Sequence, residues 1–339
     1  MTDNVAMEVW LHSFAVPGRV ADLARRAETW GFTGLLLADS QNLTADIWVE
    51  LALAGNATST LRLAPGVTNP VTRHVAVTAS AAATLQVETG GRATVGFARG
   101  DSALTQIGHR PVTVAEFEHS LELLQGLLRG ETVRLGDAVS TIRWLHETGC
   151  AKVPVHVSAS GPRVIAAGAR HAEGVDLTVG AELDRVAWGA SLVRETGGAG
   201  VSVGAYVNVA VDPDRDRARR LIRGSTATFA RFSAEANAAG RLSATTAVGV
   251  RQASGGYEAA AHGRSTAGSA QDLDPGFVDR FAIAGPAAEV GERLAAIAAA
   301  ARLDRVIIVP GSLDAGHEAV LESIRRFADQ VLPSLSEPT

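Results

Sequence analysis

The sequence predicts an α/β protein, a single (β/α)8 TIM barrel over residues 1–339 with an insertion after the seventh strand at about 241–275. Three observations carry that prediction. Strand-like and helix-like segments alternate from one end to the other, and the strand-like runs are continuously apolar rather than apolar at every second position. Such runs suit strands covered on both faces, as in a parallel sheet wrapped by helices. A length of 339 residues, with eight alternations, fits one barrel with insertions. An open doubly wound sheet is the weaker alternative, because it more often has fewer strands and a glycine fingerprint after the first.

The units follow in order. "MEVWLHS" precedes a helix expected over Val20–Trp30, "GLLLAD" one over Asp46–Ala57, and "LRLAPGV" one over Val75–Val87. "RATVGFA" leads to a helix over Val114–Leu128, and Thr132–Trp144 reads as a short hairpin. "VPVHVSA" precedes Pro162–His171, "GVDLTVG" precedes Leu183–Val193, "VSVGAYVNVAV" precedes a helix starting at "DPDRDRARRL", and "DRVIIVP" precedes the last, His317–Val331. Between the seventh and eighth strands, Arg241–Pro275 is rich in Ala, Gly and Ser with little apolar periodicity. A connection of that length reads as a lid, with a merely mobile insertion as the alternative.

The third strand is interrupted. In "LAPGVTNPV", Leu63 to Val71, an apolar run meets a proline and a glycine and ends on another proline before an alanine-rich helix. Glycine tolerates backbone angles that other residues resist, and the residue before proline is pushed out of the helical region. The segment reads as a shaped ledge.

Composition narrows the chemistry. Hydrophobic residues make up 46% of the chain and mean hydropathy is +0.12, yet no apolar run is long enough to span a bilayer. "MTDNVAMEVW" lacks the basic stretch followed by an apolar one that marks an export signal, and the single cysteine, Cys150, cannot form an internal disulfide. A reducing cytoplasm is the expected compartment. A net charge of −5 with no basic run argues against nucleic acid as a partner. Lys152 is the only lysine and precedes the fifth strand, at the end away from a barrel's active face. Schiff-base aldolases and Walker-type nucleotide sites are thereby disfavoured.

Active sites of such barrels gather at the C-terminal ends of the strands. Those ends read His12-Ser13, Asp39-Ser40, Gly66-Val67-Thr68-Asn69, Arg99-Gly100-Asp101-Ser102, Ser158-Ala159-Ser160-Gly161, Gly180 and Pro310-Gly311. Small, polar and glycine residues dominate, so the rim suits a large flat or phosphorylated ligand better than a metal. In "SASGPR", Ser160 can cap the next helix, Gly161 permits close approach, Pro162 suits the first turn, and the unpaired N–H groups favour an anion. An ordinary capped helix is the competing reading. Arg163 could add charge there, and Arg99, His109 and Arg110 stand near enough in sequence to attract an acidic tail. Asp39 and Asp101 end apolar runs, where burial raises a carboxyl pKa toward the range useful for acid/base work. Capping is the alternative for each. His12 and His74 are further candidates, against the commoner fate of a packed or hydrogen-bonded histidine.

"GVTNPVTRHVAVTASAAATLQVETGGRATVGFARGDSAL" closely resembles the third-to-fourth-strand region of the bacterial luciferase-like flavin and deazaflavin oxidoreductases, in particular their methylenetetrahydromethanopterin reductase-like branch. "VPVHVSASGP", "LADSQNLTADIWVELALA" and "DRFAIAGPAAEVGERLAA" resemble the same branch, so the likeness covers nearly the whole chain. It implies a (β/α)8 barrel, usually a homodimer, holding coenzyme F420 (8-hydroxy-5-deazaflavin) or alternatively FMN. It also implies a cis peptide in the third-strand bulge, which by position falls at Gly66–Val67, behind the ring.

Carried over by position, the resemblance puts Asp39, Gly66, Val67 and Asn69 against the ring. Gly100, Asp101 and Ser102 fall where cofactor meets substrate, and Ser158, Ala159, Ser160, Gly161 and Pro162 at the phosphate. Asp101, Asp39 and His12 are then the catalytic candidates, with Asp101 the expected proton carrier and Asp39 polarising the ring. Trp48 and Tyr257 are candidates for the substrate pocket. Some alcohol and sugar-phosphate dehydrogenases of this superfamily carry a histidine directly after the aspartate, where this chain has Ser40. The expected function is hydride transfer between F420 and a small organic substrate. The alternatives are an FMN-dependent monooxygenase and a non-catalytic flavin-binding protein. A metal-dependent amidohydrolase would need His-x-His after the first strand, where the chain reads "WLHS", and no metal is expected.

Overall fold

A computed structural model describes residues 7–235, 242–255 and 257–336. Its eight barrel strands are β1 (Glu8–Phe14), β2 (Gly34–Ala38), β3 (Arg62–Pro65), β4 (Val95–Phe97), β5 (Val155–Ala159), β6 (Gly174–Leu177), β7 (Ser202–Val211) and β8 (Arg305–Val309). Successive strands pair in parallel, and β8 returns to β1 through Glu8–Arg305 and the three pairs above it. Between β3 and β4 the ring is closed by two isolated parallel bridges, Leu63 with Ala93 and Thr68 with Phe97.

The expected helices are present at Val20–Thr29, Ile47–Ala57, Val75–Glu88, Val114–Leu128, Pro162–His171, Leu183–Gly197, Arg215–Glu235 and His317–Gln330. Their starts are chemically marked: the Asp46 carboxylate accepts from the Trp48 and Val49 amides, and Thr113 forms a reciprocal capping box with Glu116. The hairpin expected over Thr132–Trp144 pairs Val133–Leu135 with Ala138–Ser140.

Alternation along the strands explains the continuously apolar runs. Trp10, Leu36, Ala64, Tyr206 and Ile307 join a cluster inside the barrel. Their neighbours Val9, Leu11, Leu35, Leu37, Val306 and Ile308 pack outward beneath the helices. Both faces are dry, so both are apolar.

The N-terminal end of the barrel is plugged. Arg305 and Asp176, both buried, pair at 2.6 Å, and the Arg305 guanidinium lies 4.4 Å from the centre of the Trp10 ring. Burial alone would raise the Asp176 pKa, but the charges of Arg305 and His156 hold it below the usual carboxylate range. Gly204 makes the room, since a Cβ there would lie 2.1 Å from Asp176 Oδ1. Among the described residues, the cleft lies at the barrel's other end.

The stretch between β7 and β8 departs from the sequence reading. Arg241 and Gly256 lie outside the described residues, but the rest of 241–275 is largely helical, with Ala244–Gly255, a 3-10 turn at Ala259–Ala261 and Gly268–Gln271. Next come the helix Pro275–Phe281, an extra strand Ile283–Gly285 that pairs with β7, and the helix Ala287–Ala301, all outside the eight predicted units. The insertion folds because its sparse apolar residues, Val250, Ala253, Leu273 and Phe277, converge on the same cluster that fills the barrel. Small residues do the packing: a Cβ on Gly249 would lie 2.2 Å from the Phe277 ring. Such close approach leaves little periodic signal in the sequence. Asp314, just after β8, anchors the insertion by accepting from the amides and hydroxyls of Ser265 and Thr266 at 2.7–3.2 Å. No helix among the described residues is long and apolar enough to cross a membrane.

Candidate active site

At the open end lies a cleft of about 620 Å3, walled by the loops that follow the strands, by the helix Arg215–Glu235 and by the insertion. Thirteen of the nominated residues line it: His12, Asp39, Gly66, Val67, Asn69, Gly100, Asp101, Ser102, Ser158, Ala159, Ser160, Gly161 and Pro162; Trp48 and Tyr257 do not. Nothing in their spacing along the chain would bring them together; the barrel does.

The ledge after β3 is bare main chain. The Gly66–Val67 peptide is cis, at the position the resemblance implied. Gly66 N donates to Leu37 O at 2.7 Å, Thr68 N donates to Gly96 O at 3.0 Å, and His12 Nε2 donates to Gly66 O at 3.0 Å. A side chain at Gly66 has nowhere to go, since its Cβ would lie 2.7 Å from Leu36 Cβ and 3.2 Å from His12 Cδ2. Burial pushes the His12 pKa down to about 4, against the opposing effect of the bond to Gly66, so the ring is neutral at pH 7. Nδ1 is left as an acceptor with no partner.

Beside the ledge, burial raises the Asp39 pKa, while the Thr68 hydroxyl and the Arg73 charge oppose the rise. Oδ1 accepts from Gln41 Nε2 at 2.6 Å, and Oδ2 is buried without a hydrogen bond of good geometry. Asn69 spends its oxygen on the Val71 and Thr72 amides, both at 3.0 Å, and its buried Nδ2 has no partner.

The β4 loop carries Gly100 at φ +81°, a left-handed conformation that disfavours side chains. Asp101 follows but does not cap the short helix Ser102–Thr105. Its Oδ1 instead receives Arg231 Nη2 at 2.7 Å. Arg99 lines the cleft and donates from Nε to Val112 O at 2.6 Å. His109 and Arg110 are exposed and lie outside the cleft lining.

The β5 loop corrects one expectation. Ser160 does not cap the helix Pro162–His171; Gly161 is the N-cap residue, without a side-chain bond, and the Ser160 hydroxyl donates to Phe232 O at 3.0 Å. The reason is tertiary, because the helix Arg215–Glu235 presents a carbonyl that sequence proximity cannot reveal. The uncapped helix end, with Pro162 in its first turn, faces the cleft together with Arg163. Ser158 adds a buried hydroxyl without a partner.

Above these residues sits a roof in which, of the sequence candidates, only Tyr257 takes part; Phe229, Arg231, Phe232 and His262 were not among them. Phe229 and Phe232 pack with ring centres 5.6 Å apart and line the cleft with His262. The Arg231 guanidinium lies 3.6 Å from the Tyr257 ring centre, and Tyr257 OH and His262 Nδ1 share a hydrogen bond at 3.0 Å. Burial pushes the His262 pKa down to about 4. "TFARFS" at 228–233 resembles any amphipathic helix, so no local signal marks these residues as site-forming. Two sequence candidates fall elsewhere: His74 caps Val75–Glu88 through Nδ1 and the Ala76 amide at 3.3 Å, and Trp48 packs against the outer core. Among the described residues no group of three or more His, Cys, Asp or Glu could hold a metal ion.

A closed parallel barrel with a backbone ledge, an uncapped helix end and an insertion over one mouth makes this a (β/α)8 protein with its cleft at the C-terminal ends of the strands. Within that class the chain belongs to the luciferase-like monooxygenase family, whose model matches residues 4–305. Over 212 residues, 59% of this chain and 64% of the relative, it is 28% identical to 5,10-methylenetetrahydromethanopterin reductase of Methanolobus tindarius. The same-named protein of Archaeoglobus fulgidus is 27% identical over 213 residues, 58% of this chain and 61% of that relative. The match thus spans less than two thirds of either relative's length. Among solved structures, the coenzyme F420 dependent tetrahydromethanopterin reductase from Methanopyrus kandleri superimposes with a TM-score of 0.76 at 21% identity, over 98% of this chain and 100% of that one. At that identity the likeness concerns the fold.

Proposed function

We propose that this protein is a coenzyme F420-dependent oxidoreductase that moves a hydride between the deazaflavin and a small organic substrate. The observation that carries the reading is the pairing, in one cleft, of the Gly66–Val67 ledge with buried polar atoms that lack a hydrogen bond of good geometry: His12 Nδ1, Asp39 Oδ2, Asn69 Nδ2 and Ser158 Oγ. A broad ring with polar edges would supply those partners and lie against main chain where no side chain intervenes. The names of the relatives above support F420 over FMN.

When bound, the deazaflavin supplies a carbon that accepts or gives hydride. The chain's own part is to bind, orient and exclude water. Gly66 and Val67 form the backrest, with His12 fixing the carbonyl behind it. The end of Pro162–His171 and Arg163 are suited to a phosphate. Proton handling moves from Asp101, the sequence candidate, to Asp39, whose burial raises its proton affinity and whose Oδ2 is uncommitted. Asp101, bound to Arg231, orients the roof, and the insertion acts as a lid over the substrate.

The chain acts as one folding unit over 1–339. A homodimer is supported by the exposed apolar side chains of Val49, Leu53 and Val77 on the adjacent helices Ile47–Ala57 and Val75–Glu88. A cytoplasmic location is supported by the single cysteine. Titrating the purified full chain with coenzyme F420 and with FMN, followed by fluorescence, tests the reading. Saturable binding of F420 is expected. Binding of FMN alone, or of neither, overturns it.

A further inference from the structure

A second cavity lies outside the cleft and shares no lining residue with it. It encloses about 600 Å3 between the loop after β6, the start of the helix Ala244–Gly255, and the helices Pro275–Phe281 and Ala287–Ala301. Three arginines line it, Arg185, Arg280 and Arg293, against two carboxylates, Glu182 and Asp184. Arg293 is committed, donating to Asp279 O at 2.7 Å and Ala282 O at 3.0 Å. Glu182 is also committed, its Oε1 accepting from Thr246 Oγ1 at 2.5 Å and Ser243 Oγ at 3.3 Å. Asp184 is exposed at the rim.

Arg185 is different. The residue is 1% exposed, and its Nε, Nη1 and Nη2 all lack a hydrogen-bond partner. Arg280 adds a buried Nε without one. Burial lowers the Arg185 pKa to about 10, with Glu182 acting the other way, so the guanidinium stays charged at neutral pH. A buried, charged fork of donors with nothing to donate to is a costly arrangement unless something brings acceptors.

We propose that this cavity is an oxyanion site in which Arg185, assisted by Arg280, receives a phosphate or carboxylate group. The planar guanidinium matches the paired oxygens of either group, which a point charge would not. The occupant would brace the insertion. The helix Leu183–Gly197, which carries Arg185, is already tied through its N-cap residue Glu182 to Ser243 and to Thr246 of the Ala244–Gly255 helix, and the same insertion carries Tyr257 and His262 over the cleft. Filling the cavity from the opposite side therefore stiffens the roof without touching the cleft.

The test follows thermal unfolding of the full chain in sodium phosphate and in sodium malonate, each against sodium chloride at equal ionic strength. An oxyanion that binds the folded chain raises Tm by mass action. The expected result is a rise with phosphate, malonate or both in the wild type and in R163Q, lost in R185M and reduced in R280Q; the effective salt identifies the group. No rise with either salt overturns the proposal, as does a rise that persists in R185M. A rise lost only in R163Q also overturns it, since the anion then belongs to the cleft helix and the proposed function is untouched. Should R185M fail to fold, R280Q carries the comparison, and a crystal soaked in sodium selenate gives a direct reading. Where phosphate is the effective salt, a selenium anomalous peak within hydrogen-bond reach of Arg185 supports the site, and its absence there overturns it.

Discussion

Arg231 reaches across the cleft mouth to Asp101, Nη2 to Oδ1 at 2.7 Å, although 130 residues separate them in sequence. The Arg231 side chain is 9% exposed and that of Asp101 21%, so the pair is only partly hydrated. It joins the β4 loop to the helix Arg215–Glu235. Removing one partner leaves the other in a poor dielectric, which costs more than the pair's net worth.

Accordingly, D101N and R231Q are each expected to lose about 2 kcal/mol of stability, and the double variant to lose less than the sum, with a coupling of about 1 kcal/mol. Urea unfolding of the four proteins measures it. Strict additivity would remove the pair from the account of how the roof is held.

Two buried histidines make the fold sensitive to acid. His12 and His262 have folded-state pKa values near 4 against the ordinary imidazole value of 6.5. Both are depressed, so their contribution is present above pH 6.5 and is lost as pH falls toward 4, where the unfolded chain takes up protons that the folded one refuses. At about 1.36 kcal/mol per pH unit the loss approaches ~3 kcal/mol per residue. Unfolding free energies between pH 7 and 4 should fall in that window, and less steeply in H262Q.

Asp39 has the opposite sign. Its folded pKa is raised by burial, so its contribution is complete below pH 3.8 and declines as pH rises through the folded value. D39N removes that decline. The variant is expected to be at least as stable as wild type at pH 7, while F420-dependent turnover drops about 100-fold, the usual scale for a lost acid or base. A stable variant with undiminished turnover would take proton handling away from Asp39.

Gly100 sits at φ +81°, and a Cβ would lie 2.6 Å from Leu104 Cδ1. G100A combines a disfavoured backbone angle with a side-chain clash and is expected to cost about 1–3 kcal/mol. Thermal unfolding reads this directly; an unchanged Tm would mean that the loop can relax around the methyl group.

The exposed faces of Ile47–Ala57 and Val75–Glu88 predict a dimer that charge disrupts. Leu53 is 50% exposed and Val77 55%. L53E, measured by sedimentation velocity, is expected to shift the chain from dimer to monomer without unfolding it. A wild type that sediments as a monomer at micromolar concentration ends the proposal.

Much of this architecture was legible because its causes are local. The apolar runs of β1 and β2, the proline that opens Pro162–His171 and the capping residues Asp46 and Thr113 act within a few positions, so the sequence states them openly. The ledge was legible for a related reason: a proline, a glycine and a second proline after "LA" are unusual in a buried strand. The insertion was not, because alanine and glycine faces that pack by close approach, as Gly249 does against Phe277, leave no periodic apolar signature.

By itself, then, the sequence determined the eight-unit barrel, the rim on which its small and polar residues fall, and the cleft residues from His12 to Pro162. Only the tertiary structure decided how those residues are used. It gave Asp101 to Arg231, turned Ser160 toward Phe232, set His12 behind the Gly66 carbonyl and left Arg185 facing an arginine-lined cavity. The physical reason is range. Strand and helix preferences are fixed by neighbours along the chain, whereas a side chain's partner and hydration depend on groups that only the closed barrel brings within hydrogen-bond distance.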